Sequence, residues 1–322
     1  MLWLFIVAIV VGFALVLWGA DRFVLGASAT ARNLGVSPLL IGLTVVAFGT
    51  SAPEILVSVV AAWEGQPGLA VGNAIGSNIA NVGLVLGTTA LITPLTVHSE
   101  TLRREFPILF VTMLVALALL ADGFLGLLDG LVLLAGLALM LYWMSGLGMR
   151  QREADPMESE YADTIPASMP MARALLWLAV GLTLLLVGSR ALVWGGAELA
   201  EWFGVSDLVI GLTVVALGTS LPELATSVVS AYKDEHDIAI GNILGSNMFN
   251  LLAVLGLAAA IRPHPLDPGL LTRDFPVMIG LAVALFAMAY GFRAPGRINR
   301  LEGGILLAAY LGHLGLLYAT AP

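Results

Sequence analysis

Apolar runs of about twenty residues, broken by short charged or Gly/Pro-rich turns, follow one another along almost the whole chain. They fall near residues 2–19, 36–62, 69–95, 105–121, 124–148, 172–197, 205–231, 238–261, 275–292 and 302–319. A hydrocarbon core about 30 Å thick needs roughly twenty apolar residues per helical crossing, so the pattern predicts about ten transmembrane helices. Residues 20–33 stay largely apolar, which extends the first helix to about Asn33 as a long tilted rod. The opening Met1-Leu-Trp-Leu-Phe lacks the positive flank of a secretory signal and reads as the start of that helix. The markedly polar stretch Arg150–Asp163 is too short and too charged for a domain and reads as a flexible loop. The expected fold class is an all-α integral membrane protein.

The two sides of that loop are copies. Gly42-Leu-Thr-Val-Val-Ala-Phe-Gly-Thr-Ser-Ala-Pro-Glu54 returns as Gly211-Leu-Thr-Val-Val-Ala-Leu-Gly-Thr-Ser-Leu-Pro-Glu223, an offset of 169 positions (223 − 54). The same offset carries Gly12 onto Gly181, Gly19 onto Gly188 and Gly76-Ser-Asn78 onto Gly245-Ser-Asn247. It also carries Arg104-Glu-Phe-Pro107 onto Arg273-Asp-Phe-Pro276, and only the last helix slips, by four residues. The predicted units are a first five-helix repeat, 1–148, a cytoplasmic linker, 149–171, and a second repeat, 172–322. Because five is odd, the copies enter the membrane in opposite directions, as inverted-topology repeats with broken helices at the midplane.

Composition sharpens this picture. The 322 residues are 59% hydrophobic and 11% charged, which excludes a soluble domain of this length. There is no cysteine, so disulfides, thiolate metal sites and cysteine nucleophiles are excluded. One membrane face receives Arg22, Arg32, Arg103, Arg104, Arg150, Arg152, Arg173, Lys233, Arg293, Arg297 and Arg300, whereas the other receives Arg190, Arg262 and Arg273. By the positive-inside rule the first face is cytoplasmic, and both termini lie on the extracytoplasmic side. Asp21 and Arg190 occupy equivalent positions and read as interfacial. His98, His236 and His264 fall in loops and His313 is alone in the last helix, so a zinc site is not expected.

A carboxylate at membrane depth costs about 2.5–3.5 kcal/mol on an insertion scale, so Glu54 and Glu223 read as an ion or substrate site. Helical spacing places Ala47, Thr50, Ser51, Glu54 and Ser58 on one face, and Ala216, Thr219, Ser220, Glu223 and Ser227 on its copy. Pro53 and Pro222 remove the N–H groups that Gly49 and Gly218 carbonyls would accept, leaving oxygens that a cation can satisfy. The following helices add Asn73, Ser77 and Asn81, then Asn242, Ser246 and Asn250, at i+4 spacing. Carboxylate, hydroxyl and carbonyl oxygens suit hard cations such as Ca²⁺. Without His, Cys or another nucleophile beside the glutamates, an enzyme is not expected.

The doubled Gly-Thr-Ser-x-Pro-Glu and Gly-Asn-x-x-Gly-Ser-Asn, Gly49–Glu54 with Gly72–Asn78 and Gly218–Glu223 with Gly241–Asn247, resemble the alpha-repeats of the sodium/calcium exchanger family. The resemblance covers essentially the whole chain. It implies a core of helices 2–5 and 7–10, with helices 1 and 6 sliding across it. It implies Glu54 and Glu223 as shared Ca²⁺ and Na⁺ ligands, with Thr50 and Thr219 adding carbonyl oxygens. It groups Ala47, Thr50 and Ser77 into one flanking Na⁺ site and Ala216, Thr219 and Ser246 into the other, with Asn81 and Asn250 closing the centre. Ser51 and Ser220 complete the set expected to line the path. Where some relatives, including archaeal exchangers and the potassium-dependent branch, carry aspartate, this chain has Asn250, which argues against K⁺ co-transport. The energy needed to extrude Ca²⁺ separately sets the expected ratio at about three Na⁺ per Ca²⁺. The alternative is a proton/Ca²⁺ antiporter, although that branch usually reads Gly-Asn-x-x-Glu. No cofactor is implied beyond the transported ions; the expected surroundings are the lipid bilayer of the cytoplasmic membrane, with no nucleic acid and no obligate protein partner.

Overall fold

A computed structural model of the protein describes residues 2–35, 47–97, 100–150, 169–290 and 296–320. The expected linker lies mostly outside the described residues, as does the start of the first repeated motif, residues 42–46. Helices dominate, in the order the apolar runs predict. They are α1 (Leu2–Asn33), α2 (Ala47–Thr50, resuming as Ala52–Glu64), α3 (Pro67–Ile92), α4 (Glu100–Leu120) and α5 (Leu127–Arg150). The second half gives α6 (Met171–Phe203), α7 (Asp207–Tyr232), α8 (His236–Ile261), α9 (Leu270–Ala289) and α10 (Arg300–Thr320). Among the described residues, α1, α3 and α6 to α10 are long and apolar enough to cross a membrane. Glu105–Leu120 and Leu127–Trp143 are shorter apolar helices.

Burial sorts these rods. The most apolar windows of α3 and α8 are 78% and 89% buried, whereas those of α1 and α6 are only 28% and 22% buried. The two polar-faced helices therefore form the centre, and the two long ones lie against the outside. Nearly every side chain from Leu69 to Leu86 and from Asp237 to Leu255 is enclosed, the asparagines included.

The long rods cross on small residues. Gly12, Gly19 and Gly26 recur every seven residues along α1, as do Gly181, Gly188 and Gly195 along α6. A Cβ on Gly12 would lie 3.0 Å from the Gly188 carbonyl oxygen, and one on Gly19 3.0 Å from that of Gly181. One on Gly195 would lie 2.9 Å from the Phe5 oxygen. Partner numbers fall along α6 as they rise along α1, so the equivalent rods run antiparallel, the relation an inverted repeat demands. Small residues allow this closeness, and dispersion between backbones rewards it in lipid.

Two short antiparallel strand pairs, unannounced by the sequence pattern, tie the halves together. β1 (Leu95–Val97) pairs with β4 (Gly296–Ile298), and β2 (Phe124–Leu125) pairs with β3 (His264–Pro265). Each clip joins a loop of one repeat to a loop of the other.

Candidate functional site

The breaks in α2 and α7 have the same local cause. Ser51 (φ −83°, ψ 0°) and Ser220 (φ −83°, ψ 3°) leave the helical conformation, and Pro53 and Pro222 sit at the start of the helix that follows. Proline is at home there, because the first N–H groups of a helix have no intrahelical acceptor. Glu54 and Glu223 then fall in the first turn, at the end where the helix dipole favours negative charge. A second pair of irregularities faces them: α3 and α8 loosen into π-helical turns at Asn81–Leu86 and Asn250–Val254, each opening on a predicted site asparagine. Such single π turns cluster at functional sites because the extra residue pushes backbone and side chain out of register.

These four elements enclose one chamber. Glu54, Glu223, Ser77, Ser246, Asn81, Asn250 and Thr219 have no solvent exposure, and Thr50, Ser51 and Ser220 are buried with them. The two carboxylates lie close enough to repel each other. The hydroxyl of Thr219 sits beside Glu54, and that of Thr50 beside Glu223, so each glutamate is flanked by the other repeat. Both hydroxyls donate elsewhere, Thr50 Oγ1 to Asn242 Oδ1 and Thr219 Oγ1 to Asn73 Oδ1, each at 3.0 Å. The two bonds are symmetry copies under the 169-residue offset. So are Asn81 Nδ2 to Asn247 Oδ1 at 3.0 Å and Asn250 Nδ2 to Asn78 Oδ1 at 3.1 Å, which bind α3 to α8.

Hydrogen bonds among these side chains cross between the repeats. The resemblance places Ser77 with Thr50 and Ser246 with Thr219. In hydrogen bonding, the Ser77 hydroxyl lies 3.3 Å from Thr219 Oγ1, and Ser246 accepts from Ser51 at 2.9 Å and from Asn81 at 3.2 Å. Helix α3 packs against α7, so its serine meets the second motif; the antiparallel repeats interleave. Ala216 is buried at the start of its short helix; Ala47 opens the equivalent one, with its side chain outside the described surroundings.

Perfect symmetry is broken at the carboxylates. Ser246 Oγ donates to Glu223 Oε1 at 3.1 Å, while Glu223 Oε2 and both Glu54 oxygens have no hydrogen-bond partner. Asn81 Oδ1, Asn250 Oδ1 and Ser220 Oγ are likewise buried and unpartnered. Buried acceptors left unmatched each carry a substantial desolvation cost, larger when charged. Two carboxylates and several neutral oxygens with free lone pairs, buried together, make a receptor for cations. Asn73 plays a part the ligand set omits: its Nδ2 holds the Glu54 carbonyl at 3.1 Å and Ser58 Oγ at 2.9 Å, fixing α2 on α3. Its i+4 relation to Ser77 was the signal available in the sequence.

Outside this chamber, His313 is not alone. Its Nε2 lies 3.7 Å from Asp274 Oδ1, and Arg273 grips both Asp274 oxygens at 2.8 and 3.0 Å. Arg190 pairs with Glu64 of the other repeat at 2.9 Å.

An enclosed, doubly acidic, oxygen-lined chamber between inverted halves of a helical membrane protein defines a cation carrier. The family described as "Sodium/calcium exchanger protein" matches residues 4–146 and 173–319, and the chain belongs to that family. It is 48% identical over 312 residues to the "Putative antiporter CaxA" of Alkalimonas amylolytica, covering 97% of this chain and 98% of that protein. The "Sodium/calcium exchanger MaX1" of Methanosarcina acetivorans is 30% identical over 344 residues, covering 96% and 97%. Among solved structures, the sodium-calcium exchanger NCX_Mj soaked with 2.5 mM Na⁺ and 10 mM Sr²⁺ superposes with a TM-score of 0.68 at 33% identity, covering 98% of this chain and 99% of that one.

Proposed function

We propose that this member of the family exchanges Na⁺ for Ca²⁺ by alternating access, with Glu54 and Glu223 as ligands common to both ions. The observation that carries the reading is the pair of buried, mutually repelling carboxylates with three of their four oxygens unpartnered. A −2 chamber is neutralised by one Ca²⁺ or by more than one Na⁺, and competition for the same oxygens couples the two fluxes. An empty pair of glutamates is costly to carry across the membrane, which suppresses uncoupled return. Thr50, Thr219, Ser51, Ser220, Ser77, Ser246, Asn81 and Asn250 supply the neutral oxygens, with Ala47 and Ala216 contributing carbonyls from the short helices before each break.

The halves 1–148 and 172–322 act as one carrier, joined by the linker 149–171. The arginine-rich loops support a cytoplasmic position for that linker and the β1·β4 clip, with both termini outside. An Escherichia coli relative 42% identical over 317 residues is named "Inner membrane protein YrbG", which supports the cytoplasmic membrane as the location.

Stoichiometry follows from what a Ca²⁺ extruder needs. A tenfold Na⁺ gradient supplies ~1.4 kcal/mol per ion, and one net charge moving through 100 mV adds ~2.3 kcal/mol. Three Na⁺ per Ca²⁺ then provide roughly 6.5 kcal/mol, enough for a Ca²⁺ ratio above ~10⁴. Two Na⁺, electroneutral, support only about 10². The test is ⁴⁵Ca²⁺ uptake into Na⁺-loaded vesicles diluted into Na⁺-free buffer, with the pH gradient collapsed and the potential clamped. Uptake should require internal Na⁺ and accelerate with a positive interior, because three charges leave for two that enter. Uptake that ignores Na⁺ and follows a pH gradient would instead establish the proton-coupled alternative.

The amide at Asn250 also predicts independence from K⁺. Its Nδ2 is committed to Asn78 Oδ1, leaving one neutral oxygen in the chamber. Asn250→Asp adds a third negative charge there and should make the transport rate respond to K⁺. A rate that stays flat across K⁺ concentrations in both proteins would detach this position from ion selection.

A further inference from the structure

A cavity of about 460 Å³ lies between α1, α2 and α7. Its wall carries Gly49 and Thr50 from α2, Pro222 and Thr226 from α7, and Asp21 from α1. Asp21 is the only charged residue among those lining it, and its side chain is 66% exposed. The cavity therefore runs from an accessible carboxylate to Thr50, whose hydroxyl lies beside Glu223. On the far side of the chamber the ring of Phe13 covers Gly218, the residue before Thr219.

The repeat offset supplies a control within the molecule. The counterpart of Asp21 is Arg190, and the counterpart of Glu64 is Lys233. Arg190 and Glu64 form an ion pair at 2.9 Å in a recess lined also by Val187, Ala191 and Trp194, which reaches no member of the chamber. Asp21 is not paired with Lys233; its contact is Arg22, Nε to Oδ2 at 3.3 Å. The Arg22 guanidinium in turn lies over the rings of Trp18 and Trp177, 5.9 and 4.9 Å from their centroids. The carboxylate thus keeps a free face toward the cavity.

We infer that Asp21 is the cation-recruiting residue at the mouth of this cavity, raising the local concentration of ions bound for Thr50 and the two glutamates, while the recess at Arg190 stops short of the chamber and its carboxylate, Glu64, is held by Arg190. Low-dielectric walls focus the field of a single charge along a narrow path. A mouth potential acts on each ion in proportion to its charge. If it enriches a monovalent ion by a factor f, it enriches a divalent ion by f², so the residue favours Ca²⁺ over Na⁺ on one face only. The inference rests on reading Glu54 and Glu223 as the ion site.

The test uses the full-length protein in vesicles of each orientation, with Na⁺ and Ca²⁺ titrated on one face at a time. Asp21→Asn should raise the KM for Na⁺ about threefold and that for Ca²⁺ about tenfold on the face where α7 ends at Tyr232. Maximal rate and the KM values on the opposite face should stay within twofold. The effect should shrink as choline chloride is added, because screening shortens the reach of the charge. Asp21→Glu should restore both KM values, and Arg22→Gln should lower them by removing the neighbouring cation. Equal factors for the two ions, equal changes on both faces, or a rise in KM with Arg22→Gln would make Asp21 a structural residue and overturn the inference. Exchange that survives Glu54→Gln would instead remove the site reading beneath it, a result these KM ratios do not mimic.

Discussion

Glutamine in place of Glu54 or Glu223 should abolish Na⁺-dependent Ca²⁺ uptake while leaving a folded, helical protein. The lost charge matters to the ion far more than to the fold. At about 4 Å and an effective dielectric constant near 20, a carboxylate attracts a monovalent ion by ~4 kcal/mol and a divalent one by about twice that. Loss of one carboxylate should therefore weaken Ca²⁺ binding by at least about a hundredfold after the chamber relaxes. The fold loses nothing comparable, because each variant removes repulsion between two buried charges. Thermal unfolding separates these effects. Saturating Ca²⁺ should raise the midpoint of the wild-type protein, as any ligand specific to the native state does, and leave both variants unmoved. A variant that still transports at the wild-type rate would take that glutamate out of the site.

The second large effect is expected at Gly72. A Cβ there would overlap the Leu208 carbonyl oxygen and lie 2.9 Å from Gly211 Cα, and one on Gly211 would lie 2.9 Å from Gly72 Cα. The two glycines are face to face, and backbone rather than a flexible side chain fills the space each leaves. Gly72→Val should force α3 from α7, at a cost of about 1–3 kcal/mol or more where backbone must move. It should also part Ser77 from Thr219, now 3.3 Å apart, and so lower transport more than tenfold along with the unfolding midpoint. Gly312→Val is the matching control, since nothing lies within 4 Å of a Cβ there. Equal behaviour of the two variants would show that the α3–α7 contact does not set the chamber.

The repeat, the helix breaks and the buried polar faces were legible in the sequence, because each rests on local signals that occur twice. A proline a few residues after a glycine and one before a glutamate marks a helix break wherever it is read. Asparagine and serine at i+4 define a polar face without any knowledge of neighbours. Partner choice across the repeats was not legible. Helical periodicity says that Ser77 faces inward, yet only the packing of α3 on α7 sets it against Thr219 rather than Thr50. The Arg273–Asp274–His313 contact was hidden for the same reason, since α9 and α10 meet only in three dimensions. The strand pairs were hidden because two- and three-residue strands inside loops have no period to detect. The π turns at Asn81 and Asn250 carry no side-chain signature at all.

The two strand clips also bear on how the protein is made. Leu95 waits for Ile298, about two hundred residues of synthesis later, and Phe124 waits for Pro265. Glu54 and Asn81 meet their neighbours Thr219 and Asn247 only when the second half has been inserted. A half-made chain therefore holds an acid and several amides in lipid with their final partners still unsynthesised. At translation rates of about 5–20 residues per second this exposed interval lasts on the order of ten seconds or more. Biogenesis of such a carrier calls for an insertion machinery or chaperone that shelters the first repeat, and a chain stalled after α5 should be a preferred substrate of membrane proteases.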